Sequence, residues 1–85
     1  YYTGAAMQWK TASNENPGYS VYYADDQTRE GHRYVAQRKR GNGFWRLFHR
    51  STPNEPLRTI YAAETLKECK AYADEYQTLL GAMNQ

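Results

Sequence analysis

The sequence predicts an α+β domain: a three- to four-stranded antiparallel sheet packed by one C-terminal amphipathic helix. Three observations carry this. Apolar residues recur at steps of three and four from Leu66 to Met83, the spacing of a single helical face. Upstream, short runs rich in tyrosine, tryptophan, phenylalanine and valine alternate with polar residues, as on a half-buried pleated surface. Between those runs stand turns bearing glycine, asparagine and proline.

Residues 1–18 read as a polar N-terminal arm ending in Thr11-Ala12-Ser13-Asn14-Glu15-Asn16-Pro17-Gly18. Within it Met7 and Trp9 are the groups able to anchor to a core, and an indole is seldom left in water. The domain proper is expected over 19–82, with 83–85 as a tail. Tyr19–Ala24 is the first strand, with Tyr19, Val21 and Tyr23 on one side. A polar loop, Asp25–Gly31, leads to Arg33–Lys39. Arg40-Gly41-Asn42-Gly43 then supplies a hairpin signal, and Phe44–Arg50 returns. On that returning strand Trp45, Leu47 and His49 share one face, while Phe44, Arg46, Phe48 and Arg50 share the other. After the loop Ser51–Pro56, Leu57–Tyr61 is a short fourth strand, and the prolines before it suit a sheet edge.

The helix opens on a capping box, Thr65-Leu66-Lys67-Glu68, in which the Thr65 hydroxyl accepts from the Glu68 amide and the carboxylate reaches back. Leu66, Cys69, Ala73, Tyr76, Leu80 and Met83 form its apolar stripe, and Lys67, Lys70, Asp74 and Gln77 lie opposite. Gly81 is the expected stop, which sets about four turns. One helix covers one face of a sheet, so the other face is left for a partner.

A chain of 85 residues supports one small core and little room for a deep pocket. An enzyme is therefore not expected. The single cysteine, Cys69, cannot form an internal disulfide, and small secreted domains usually carry several, so a reducing, cytoplasmic setting is expected. No run of 18 apolar residues is present to span a membrane. The sequence opens on Tyr1 rather than Met, which leaves room for a preceding segment.

Charge is distributed unevenly, which the net +2 conceals. Between Gly31 and Asn54 there is no acid and there are six cations: Arg33, Arg38, Lys39, Arg40, Arg46 and Arg50. The remaining residues hold five cations and nine acids. The basic set falls on one hairpin and is interleaved with Tyr34, Phe44, Trp45 and Phe48. Guanidinium groups pair with phosphates or fork onto guanine edges, and a two-stranded ribbon is narrow enough for a major groove. Exposed rings instead suit stacking on unpaired bases. The expected nucleic-acid site is thus Arg33, Arg38, Lys39, Arg40, Arg46 and Arg50 with Phe44 and Phe48. The same residue types are enriched at protein interface hot spots, so an acidic protein surface stays open as the partner. So does oligomeric state, since an edge-to-edge homodimer would reshape the surface. Cations on an exposed sheet also simply discourage aggregation.

Catalytic chemistry has little to stand on. Cys69 lies on the apolar stripe, where a thiol is an inert packing group, and His49 is expected to be partly buried. His32 opens a strand beside a glycine and is expected to be solvated. One cysteine and two scattered histidines lack zinc spacing, so neither metal nor cofactor is expected. Asp25-Asp26 reads as a solvated acidic pair, and Gly41-Asn42-Gly43 as a turn rather than a phosphate cradle. Among Tyr19, Tyr22, Tyr23 and Tyr34, packing is expected for the set facing the helix and recognition for the set facing away.

The order of antiparallel strands followed by a helix opening Thr65-Leu66-Lys67-Glu68-Cys69 resembles the three-stranded DNA-binding modules of phage integrase arms and of certain plant transcription factors. That likeness implies a sheet laid on the major groove, with contacts from Arg33, Arg38, Arg40 and Arg46. A fourth strand, a longer 51–56 loop and the N-terminal arm depart from it. The layout, including the pair Phe44-Trp45, is also similar to small accessory proteins of phages and prophages. This second likeness implies binding and modulation of a host or viral protein, and a host-cell cytoplasm as the setting. Both cover about residues 19–80.

Overall fold

The computed structural model describes residues 7–12, 18–25, 31–39, 41 and 43–83, the last three through their backbone. Five antiparallel strands lie side by side in chain order: β1 (Lys10–Thr11), β2 (Tyr19–Asp25), β3 (Arg33–Lys39), β4 (Trp45–Arg50) and β5 (Arg58–Ala63). One helix, α1 (Leu66–Met83), packs against β3, β4 and β5.

The α+β class is as expected, but the sheet has five strands rather than three or four. The extra strand comes from the segment read as a polar arm. Lys10 pairs with Tyr23 and Thr11 with Tyr22, and the Ala12 amide donates to the Val21 carbonyl at 2.8 Å. Backbone pairing holds this short edge, since both of its side chains are exposed. Met7, just before it, is buried in the core, and Trp9 packs partly against that core.

β3 and β4 pair from Arg33↔Arg50 to Gln37↔Arg46, a register centred between residues 41 and 42. Gly41 there has φ 78°, a left-handed conformation that suits glycine. Arg40 and Asn42 lie outside the described residues. Between β4 and β5 the register slips: Leu47 faces Tyr61, but Phe48 faces Thr59. Ile60 is thus the extra residue of a bulge and packs half-buried on the core.

The core lies between α1 and one sheet face. Tyr34, Ala36, Leu47, Cys69 and Ala73 have no exposed surface, and Ala24, Trp45 and Ala63 are buried around them. The small side chains at Ala36, Ala63 and Ala73 leave room for tyrosines. Tyr72 of α1 stacks on Tyr61 of β5 with ring centroids 4.1 Å apart and planes 3° from parallel. One arm of the capping box forms as expected, the Glu68 amide donating to the Thr65 hydroxyl at 3.2 Å, while the Glu68 carboxylate accepts from that hydroxyl at 3.1 Å rather than from the Thr65 amide.

Three helical expectations are corrected. α1 does not stop at Gly81 but continues through it to Met83, so its 18 residues make about five turns. Lys70, expected on the solvent side, reaches back over the sheet edge. Its ammonium lies 5.9 Å from the Trp9 ring and 5.5 Å from the Tyr22 ring, because a lysine stem buries itself while its charge rests on ring faces. Tyr72, absent from the expected stripe, is a packing residue. Among the described residues no helix is long and apolar enough to cross a membrane.

Candidate nucleic-acid interface

Strand alternation and register sort the opposite face of the sheet into rows, with no described element packed over it. One row crosses all five strands: Lys10, Tyr23, Val35, Phe48 and Thr59. The next row toward the β3–β4 turn holds Val21, Gln37, Arg46 and Ala62, and beyond it Tyr19 pairs with Lys39. On the other side of the first row stand Asp25, Arg33 and Arg50. Successive rows are about 7 Å apart, two residues of strand rise. An aromatic and apolar row is therefore bracketed by cations on both sides.

The six cations expected on one ribbon face do not all gather there. Arg33, Lys39, Arg46 and Arg50 do. Arg38 alternates with Gln37 and lies on the helix side, its guanidinium carbon 5.1 Å from the Trp45 ring centroid. Arg40 lies outside the described residues. Lys10 joins the face instead, which a reading of the segment as an arm could not anticipate; only pairing with β2 reveals it.

The two ends of the face differ in electrostatics. At one end Arg33 donates to both carboxylate oxygens of Asp25, at 2.7 and 3.2 Å, and its guanidinium also rests 4.9 Å from the Tyr23 ring centroid. The hydrogen bond from Arg33 holds the Asp25 carboxyl below its ordinary range. Partial desolvation opposes this, and the charges of Arg33, Arg50 and Lys10 assist it. That pairing largely neutralises Arg33, and Arg50 remains the cation of that end. At the turn end Lys39 and Arg46 are exposed and, among the described residues, make no ion pair. They line a shallow depression of about 350 Å³ with Tyr19, Gln37, Phe44 and Phe48. Phe44 is 59% exposed, while Phe48 and Tyr19 are half-buried. A second depression, over Val21, Val35 and Leu57, continues the face toward Arg33 and Arg50.

On the helix side the titratable groups are packing groups. Cys69 is fully buried, and its thiol donates to the Trp45 carbonyl at 3.8 Å. Burial pushes that thiol above its ordinary range, and the neighbouring Glu68 charge adds to the effect, so the nucleophilic thiolate is disfavoured. His49 is buried on the face shared with Trp45 and Leu47. His32, expected in solvent, instead lies 3.0 Å from it, Nδ1 to Nε2, so that one ring donates to the other. Tyr34 and Tyr76 complete the cluster, with centroids 4.8 and 5.1 Å from His49. Hairpin register explains the meeting: His49 pairs with Tyr34, and His32 is two residues away on the same face. Among the described residues no group of three or more His, Cys, Asp or Glu gathers as metal ligands.

No protein-family model matches the chain, and no curated protein and no solved structure is significantly similar to it.

Proposed function

We propose that this chain is a non-catalytic binding module that holds nucleic acid on the sheet face opposite α1. One observation carries the reading: the turn end places Lys39 and Arg46, neither in an ion pair among the described residues, in one depression with Phe44, Phe48 and Tyr19. Cations with nothing to neutralise them attract phosphates, and rings beside them offer contact area for bases or sugars. Arg50 extends the positive strip along β4, whereas Arg33 is engaged by Asp25.

A salt titration tests this. Fluorescence anisotropy with labelled DNA at about 50 mM salt should show binding whose affinity falls log-linearly with salt. Arg46→Glu should abolish it with little change in melting temperature, because substitutions at exposed sites usually stay within about 0.5 kcal/mol. Failure to bind either single or double strands at low salt removes the proposal.

A second reading has its own support. Leu57, 41% exposed, lines a depression with Val21, Val35, Arg33 and Arg50, and this mix of apolar and cationic groups suits a protein partner of acidic surface. Such a partner, host or viral, would lose affinity on Leu57→Ala, a change nucleic acid should not register.

A further inference from the structure

We infer that the ligand is a single strand, its unpaired bases stacking on Phe44 and Phe48 while Lys39 and Arg46 take the phosphates; this rests on the nucleic-acid reading above.

The first ground is width. A β-ribbon enters the major groove because two strands fit a channel about 12 Å wide. Here the basic hairpin is no freestanding ribbon. β2 pairs with β3 over its whole length, from Tyr19↔Lys39 to Asp25↔Arg33, and β5 pairs with β4 from Trp45 to His49. Five strands spaced about 4.8 Å apart make a platform close to 20 Å across, wider than the groove. Pairing with the flanking strands reaches Lys39 on β3 and Trp45 on β4, so neither strand of the hairpin stands alone at that end. A duplex laid flat would touch this platform with its backbones alone.

The second ground is where the rings sit. Duplex bases are stacked on one another and offer no face to a protein ring, whereas unstacked bases do. Phe44 is 59% exposed beside the turn, which leaves much of its ring open to a ligand. Phe48 follows on the same side of β4, with Arg46 between them in the alternation. Tyr19 and Lys39 face each other across β2 and β3 at the same end. Ring, cation, ring at alternate positions from Phe44 to Phe48, with a third ring and a second cation beside them, matches a chain whose bases and phosphates alternate. It does not match a uniform phosphate ridge.

The third ground is that, among the described residues, the helix side offers no substitute. Tyr22, Tyr34, Tyr61, Tyr72 and Tyr76 all pack against the core or into it. Stacking capacity for a ligand is therefore concentrated where the unengaged cations are.

The test compares a labelled oligothymidylate of about 15 nucleotides with a mixed-sequence duplex of the same length at about 50 mM salt. The expected result is at least tenfold tighter binding to the single strand. Phe44→Ala should weaken that binding by roughly five- to a hundredfold with an unchanged salt slope, since it removes stacking. Arg46→Ala should instead shallow the slope by about 0.7, the loss of one phosphate contact on a single strand. Phe44 is too exposed for its loss to unfold the protein, which a melting curve checks. Equal or tighter binding of the duplex overturns the inference and leaves the nucleic-acid reading standing. Single-strand binding indifferent to Phe44→Ala also overturns it. No binding to either probe overturns both.

Discussion

Arg33 and Asp25 face each other directly across β2 and β3, joined by two hydrogen bonds of 2.7 and 3.2 Å. On a face otherwise rich in cations, the carboxylate engages one of them. Both side chains are partly in water, so the pair contributes under about 1 kcal/mol to stability. Its effect on binding should be larger than its effect on folding. Asp25→Asn removes the carboxylate charge beside Arg33 and is expected to raise affinity for the single strand severalfold and steepen the salt slope by about 0.7. A slope equal to wild type would show that Arg33 does not reach the ligand.

The same pair sets a pH dependence. Asp25 is held below its ordinary value, near 3.8, first by the hydrogen bond from Arg33. A depressed carboxyl adds stability that is present above that ordinary value and is lost as pH falls through the folded-state value. Wild type should therefore lose melting temperature faster than Asp25→Asn as pH drops below about 4. Parallel curves for the two proteins would exclude this contribution.

Core substitutions should rank by burial rather than by side-chain type. Leu47 is fully buried between the sheet and α1, so Leu47→Ala should cost about 2–5 kcal/mol. That is a large share of the roughly 5–15 kcal/mol a domain possesses. Leu66, on the expected apolar stripe, is only half-buried, and Leu66→Ala should cost clearly less. Urea unfolding of the two variants decides the order. Equal costs would mean that the helix start is packed more tightly than its exposure indicates.

How much of this was legible beforehand depends on which force places each residue. β2, β3, β4 and the capped helix were readable because hydrophobic period and turn chemistry act locally. The division of β4 into a Trp45, Leu47, His49 face and an Arg46, Phe48, Arg50 face follows from strand alternation alone. β1 was not readable: Lys10-Thr11 has no apolar alternation, and its strand character comes from the edge of β2. Arg38 was placed with the other cations because composition groups charges without regard to face. Its neighbours Gln37 and Lys39 point the other way, so alternation along β3 carried the signal. Lys70 and Tyr72 depend on which tyrosines of the sheet lie beneath them, information held in no single segment.

The histidine pair gives a prediction confined to the helix side. His32 Nδ1 and His49 Nε2 are 3.0 Å apart, and His49 is buried, so this hydrogen bond between two rings is made largely out of water. Gly31 beside His32 has φ 90°, and a Cβ there would stand 3.2 Å from both Pro53 Cδ and the Ser51 carbonyl. The 31–32 segment is thus seated on the 51–53 loop, and the imidazole pair pins it there. His32→Phe keeps an aromatic ring but removes this hydrogen bond, which should cost about 0.5–1.5 kcal/mol. His32→Asn, which retains a donor and an acceptor, should recover part of that loss. Oligonucleotide affinity should not change in either variant, because the pair lies across the sheet from Phe44, Phe48 and Arg46. A double-mutant cycle with His49→Phe measures the coupling, and a value near zero would show that the contact holds nothing in place.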